Sequence, residues 1–170
     1  MVAMAPPYAA EPGPNPPTRL RLLLSGAIVL AGFIAFRGAL AYFFSQDDFS
    51  SLARAAGMLP RLQGPWRYLG NQAIFDLLRP IASLHPLPYH LASLMVHLAC
   101  SVLVLAVLRE QRASMPGAFT AAVFFAVHPA LFTAVYWISV IADSLSLLFA
   151  LGALMAANQP GRRTKIADGA

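Results

Sequence analysis

The stretch Leu20–Phe44, LRLLLSGAIVLAGFIAFRGALAYFF, followed at once by Ser45-Gln46-Asp47-Asp48, decides the class of this chain. After Arg21 its only charge is Arg37, and the apolar run is longer than the roughly 20 residues a helix needs to cross a bilayer. Hydrophobic residues make up 58% of the chain and charged residues 11%, outside the balance of soluble domains. The apolar residues also lie in long blocks. The sequence therefore predicts an all-α fold, a polytopic transmembrane helical bundle.

Working outward, further spans are expected at Pro88–Leu108, at 117–128, where His128-Pro129 interrupts, and at Trp137–Ala157, making about four with 20–44. Residues 1–18, rich in Pro and Ala, are expected as a disordered cytoplasmic tail. Residues 19–158 form the expected transmembrane domain, and 159–170 a basic cytoplasmic tail. Residues 45–87 are expected as an outer loop of short interfacial helices. One runs from Asp48 to Leu59 and is ended by Pro60. The other runs from Asn71, as cap, to Leu78 and is ended by Pro80. Trp66 and Tyr68 suit the headgroup zone.

Charge sets the orientation. Arg19, Arg21, Arg109, Arg112, Arg162, Arg163 and Lys165 fall on one side of a four-span arrangement, so both termini are expected in the cytoplasm and Asp47 and Asp48 outside. A bacterial inner membrane is the expected location. Arg19 and Arg21 before Leu22–Phe36, with Ala39-Leu40-Ala41 beyond, also have the outline of a cleavable signal. Arg37 and the continuing Tyr42-Phe43-Phe44 favour an uncleaved span.

The net charge of +5 does not imply nucleic acid, because the basic residues flank spans rather than forming a patch. Cys100 is the single cysteine, which excludes an internal disulfide and a cysteine metal cluster. No histidine pair has zinc spacing. No metal ligands are assigned, and a divalent ion bridging an Asp to a phosphate is compatible but not required.

Several polar residues sit where chemistry or packing needs them. His90, Ser93, His97 and Ser101 share one stripe of the second span, facing protein or a wet cavity. His97 and Ser101 are open to a helix–helix role, and His90, at the outer end, to a functional one. On the fourth span Ser139, Asp143 and Ser146 share a face that Ala150, Ala153 and Ala157 continue, and that face is expected to pack inward. Arg37 and Asp143 lie at similar depth and are expected to form an ion pair, against the alternative that Arg37 snorkels outward alone. Two roles are open to Asp47 and Asp48: capping a helix start or catalysis at the membrane surface.

The order Asp47-Asp48, Arg79-Pro80, Tyr89-His90-Leu91, His97, His128-Pro129, Trp137-Ile138-Ser139 and Asp143 resembles the N-terminal part of type-C, polyprenyl-phosphate-sugar-dependent membrane glycosyltransferases. The likeness is nearest to the O-mannosyltransferase-like branch that often carries tetratricopeptide repeats. Two departures stand out: Thr133 where the family often has an acid, and Val140-Ile141 where it tends to have Gly-Arg. The family has many more spans, so the resemblance implies an N-terminal fragment or short form of such an enzyme. It implies inverting transfer of a hexose or mannose from a polyprenyl-phosphate donor to an acceptor hydroxyl at the outer face. Asp47 or Asp48 would be the catalytic base. Arg79 and His128 would bind the leaving phosphate, and His90 and Asp143 would hold geometry or bind the sugar. Expected partners are membrane lipid, the donor and other membrane subunits. The alternatives are a non-catalytic scaffold or partner subunit, and a small transporter, for which His128-Pro129 is the only hint.

Overall fold

A computed structural model describes residues 17–158. The tails expected at 1–18 and 159–170 lie outside the described residues, apart from Pro17 and Thr18. Eight helices follow one another: α1 (Thr18–Phe36), α2 (Gln46–Ala55), α3 (Pro65–Arg67), α4 (Ala73–Ala82), α5 (Pro86–Glu110), α6 (Met115–Val127), α7 (Phe132–Tyr136) and α8 (Ile141–Ala157). Short 3-10 turns join several of them, a wide π turn at Tyr68–Gln72 leads into α4, and no strand occurs among the described residues.

Three segments are long and apolar enough to cross a membrane: Thr18–Ala41, Pro86–Glu110 and Ile138–Ala157. Met115–Val127 and Pro129–Tyr136 make a fourth if counted as one span bent by 47°. The 24 residues of the first reach about 36 Å at 1.5 Å per residue, against a hydrocarbon core of about 30 Å.

Local chemistry accounts for the breaks. Ser45, extended, caps α2, and Asp47 and Asp48 occupy its first turn. The helix stops at Ala55, short of the expected Leu59, because Gly57 turns left-handed at φ 75° and lets the Met58 amide reach back to the Ala53 carbonyl at 2.9 Å. That geometry favours glycine after a helix end. The second loop helix also departs from expectation. Asn71 lies inside the π turn rather than capping, and Pro80 sits within α4. Proline this near a helix end forfeits only one backbone bond, and the helix ends instead at Ser83, with φ 52°. Pro86 and Pro88 open α5, where their fixed φ suits the first turn. Ser114 caps α6, its hydroxyl accepting from the Gly117 amide at 3.2 Å.

The axis of the bundle is α5, which packs on α1, α6 and α8, while α1 also packs on α6. Ile28, Leu105, Ala118, Ala122 and Ala126 fill the α1–α5–α6 seam. Cys100, Val107 and Leu151 fill the α5–α8 seam. A separate core of Phe44, Leu52, Phe75, Ala82, Tyr89 and Ile138 lies at the end where α1 finishes and α5 begins. It holds α2 and α4 down onto the ends of α1 and α5, so the loop is a folded cap. The Tyr89 hydroxyl ties this cap to the bundle by donating to the Ser83 carbonyl at 3.0 Å.

Candidate functional site

The two carboxylates that open α2 have different fates. Asp48 is fully buried. Its Oδ2 accepts from the Ser45 amide at 2.8 Å, as the third residue of a capping box does. Its Oδ1 accepts from the Ser139 amide at 2.8 Å and from the Ser139 hydroxyl. The side chain thus clamps the start of α2 to the 3-10 turn Ile138–Val140 that leads into α8. Asp47 is exposed, and its carboxylate makes no hydrogen bond or ion pair. Only its backbone carbonyl is used, accepting from the Ser50 hydroxyl at 2.9 Å.

Beside this clamp lies an open recess of about 500 Å³, walled by Tyr42, Phe43, Phe44, Phe49 and Trp137 with Ser45 and Gln46 at its polar edge. The buried Trp137 Nε1 has no partner. The recess runs along the strap that carries the chain from the first span to Asp47.

His90 is buried beneath the same strap, with no exposed surface. The Tyr42 ring stands edge-on to it at 6.3 Å; the backbones of Tyr42, Phe43 and Val135 lie near the ring, but neither imidazole nitrogen meets hydrogen-bond geometry. Ser93, one turn on, is also buried and unpaired at its hydroxyl. Unpaired polar groups in a dry interior are costly, and His90 and Ser93 concentrate that cost at the loop end of α5.

His97 and Ser101, on the same stripe, serve packing. The Ala126 carbonyl lies 3.0 Å from His97 Nε2, and since a carbonyl only accepts, Nε2 carries the proton. The ring stacks on Phe125 and meets Phe36 edge-on. The Ser101 hydroxyl donates back to the His97 carbonyl at 2.9 Å. This bond answers a need created by His128-Pro129. In a continuing helix the Ala126 carbonyl would take the Ala130 amide, but that amide donates to His128 Nδ1 at 3.2 Å. His97 satisfies the carbonyl instead.

Other expected site residues are dispersed. Arg79 is half-buried and donates from one guanidinium nitrogen to the Ala55 carbonyl at the end of α2, at 3.5 Å. His128 is half-buried, edge-on to Phe124. Because its Nδ1 accepts, the hydrogen of the neutral ring sits on Nε2. No hydrogen bond or ion pair joins Asp47, Arg79, His90, His128 and Asp143 to one another.

Two expectations are corrected. Arg37 and Asp143 are both exposed and do not pair. They stand on α1 and α8, which each pack on α5 rather than on each other to any substantial extent. The α8 face expected to pack inward faces out: Asp143, Ser146, Ala150, Ala153 and Ala157 are exposed, while Ile141, Ser144 and Leu151 are buried. Leu147, Leu148, Leu151 and Met155 of α8 fill the α5 seam, so the polar and small residues are left outside together with Phe149 and Leu154.

Gln72 was not signalled by any motif. Fully buried, it donates from Nε2 to the Ser51 carbonyl at 3.1 Å and to Asp76 Oδ1 at 2.8 Å, linking α2 to α4. Only its burial identifies it. Among the described residues no group of three His, Cys, Asp or Glu side chains is placed to hold a metal ion. Comparison of the chain with protein families, with characterised proteins and with solved structures finds no match.

Proposed function

We propose that this chain is a multi-pass membrane protein whose loop end takes part in sugar transfer from a polyprenyl-phosphate donor to an acceptor hydroxyl, with Asp47 as general base. The supporting observation is the unequal treatment of two adjacent carboxylates. Asp48 is spent on holding α2 against the turn before α8, which leaves Asp47 rigidly mounted, exposed and unpaired. A base must be free to reach its proton and held by a fixed frame.

In the proposed step the acceptor oxygen attacks the anomeric carbon and its proton passes to Asp47. The bond from that carbon to the phosphate oxygen breaks, and the polyprenyl phosphate leaves with the electron pair, inverting the centre. Charge growing on the phosphate needs donors. Arg79 has guanidinium N–H groups beyond the one given to Ala55, and His128 offers Nε2–H. The aromatic recess beside Asp47 suits the apolar faces of a sugar or the first isoprene units. In this reading the loop end faces away from the cytoplasm, both termini face inward, and the membrane is a bacterial inner membrane.

The test is turnover of labelled polyprenyl-phosphate hexose by membranes carrying the protein. Asp47→Asn should lower it by at least about 100-fold with unchanged thermal stability to within about 1 kcal/mol, since the lost dipole interaction is no larger. Turnover retained by Asp47→Asn overturns the assignment. A second reading, a non-catalytic partner subunit, is favoured by the outward polar and small face of α8; on that reading membranes carrying the wild-type protein show no turnover of the donor.

A further inference from the structure

Two opposite charges stand unpaired on the outside of the spans. Arg37 follows the last turn of α1, and Asp143 is in the first turn of α8. Both are exposed and without partners. An ionisable group in a span ordinarily pairs or faces a wet cavity. Within one chain the two do not pair, and α1 and α8 each pack on α5 rather than on each other to any substantial extent.

The stripes that descend from these charges match in a specific way. Seven residues below Arg37 is Leu30 and seven further is Leu23, exposed by 59% and 71%, with Phe33, between Arg37 and Leu30, exposed by 40%. Seven residues beyond Asp143 is Ala150 and seven further is Ala157, with Ser146 and Ala153 between, all exposed. Each step of seven is about 10 Å along a helix. Towards the loop end α1 finishes and α8 begins, so the two run antiparallel in any pair of copies sharing one membrane orientation. Aligned at Arg37 and Asp143, they place Leu30 opposite Ala150 and Leu23 opposite Ala157. A leucine then meets an alanine at both of these levels, while the exposed Leu154 on the same α8 stripe falls opposite Gly26; large against small is the arrangement by which helices approach closely in lipid.

We propose that α1 of one copy of this chain docks on the outward face of α8 of a second copy, with Arg37 of the first pairing with Asp143 of the second. The two patches are different surfaces on different helices, so the contact is head-to-tail and each copy offers one patch to each of two neighbours. The proposal is independent of sugar transfer and requires only that α1 and α8 lie in the membrane.

The test uses the full chain in membranes with Cys100, the single and buried cysteine, replaced by Ser. Leu30→Cys together with Ala150→Cys should yield disulfide-linked dimers and a ladder above them. Leu23→Cys with Ala150→Cys, displaced by about 10 Å along the axis, should not, since a disulfide needs Cα atoms within about 7 Å. In a second measurement, co-purification of two differently tagged copies should fall at least tenfold in Arg37→Asp and in Asp143→Arg. It should recover when both changes are made in the same chain. Equal cross-linking by the two cysteine pairs overturns the docking register. Unchanged co-purification in the single variants, or failure of the double swap to restore it while every variant stays monodisperse in detergent, overturns the charge pair and the second copy as occupant.

Discussion

Asp48 and Ser139, 91 residues apart in the chain, are joined through one carboxylate oxygen that accepts both the amide and the hydroxyl of the serine. The bond fastens the start of α2 to the entry of α8. It makes one member of the acidic pair structural and the other free. Asp48→Ala should destabilise the protein by about 1.5–3 kcal/mol, the range for losing hydrogen bonds to a charged group. Ser139→Ala keeps the amide bond and should cost about 1 kcal/mol. Thermal unfolding in detergent measures both, and an Asp48→Ala protein as stable as wild type would refute the clamp.

His97 makes the only side-chain hydrogen bond between α5 and α6 among the described residues. His97→Phe keeps the ring against Phe36 and Phe125 but removes the donor. Hydrogen bonds between spans are often weak because the alternative state finds other partners. Here the Ala126 carbonyl has lost its helical partner to the His128-Pro129 break, so the loss should reach about 1–2 kcal/mol. His97→Ala adds a cavity and should cost at least about 3 kcal/mol. Equal stabilities for the two variants, read from the same melts, would show that the hydrogen bond and not the ring carries the effect.

Gly32 sits where α1 approaches α5 and α6. A Cβ there would lie 2.7 Å from Leu98 Cδ2 and 3.3 Å from the Ala126 carbonyl oxygen. The Leu98 methyl can rotate away, whereas the backbone oxygen must shift. Gly32→Ala should therefore lose stability by about 1 kcal/mol despite a gain of similar size in helix propensity. Gly32→Val should lose more than about 2 kcal/mol. Adding Leu98→Val to Gly32→Ala should recover part of the loss, a coupling that a double-mutant cycle reads directly.

Tyr68, in the loop-end cap, has its pKa raised above the ordinary 10.0 because the nearby Asp76 carboxylate favours the protonated phenol and repels a phenolate, with burial adding to the rise and Arg61 opposing it. The folded state thus favours the protonated phenol. Any stabilisation from this contact is complete below pH 10 and fades as pH rises through the higher folded value. Difference absorbance titration of wild type against Tyr68→Phe should show the raised transition, and Asp76→Asn should bring it back towards 10. An unshifted transition in the wild type would separate the two side chains.

Much of the frame is legible in the residues. Apolar run lengths anticipate three helices long and apolar enough to cross a membrane, Thr18–Ala41, Pro86–Glu110 and Ile138–Ala157, because that property depends on local composition. The stripe His90, Ser93, His97 and Ser101 is buried as helical periodicity requires. Ser45 before Asp47-Asp48 reads as a helix start and is one. Elsewhere local signals mislead. Pro80 reads as a stop and lies inside α4, since a single missing amide near a helix end is cheap to tolerate. Asp48 and Asp47 are indistinguishable by type, and only the distant Ser139 separates them.

Periodicity groups residues onto faces; it does not say which way a face points. For α8 the grouping of Asp143, Ser146, Ala150, Ala153 and Ala157 was visible in the chain, and its outward direction was not. The direction was decided by α5, whose seam took the apolar side through Leu151 and its neighbours. The non-meeting of Arg37 and Asp143 follows from the same cause, because equal depth along two helices says nothing about their separation around the bundle. Composition and spacing determined that these helices exist and what each face carries; packing around α5 decided which faces were buried and which were left exposed.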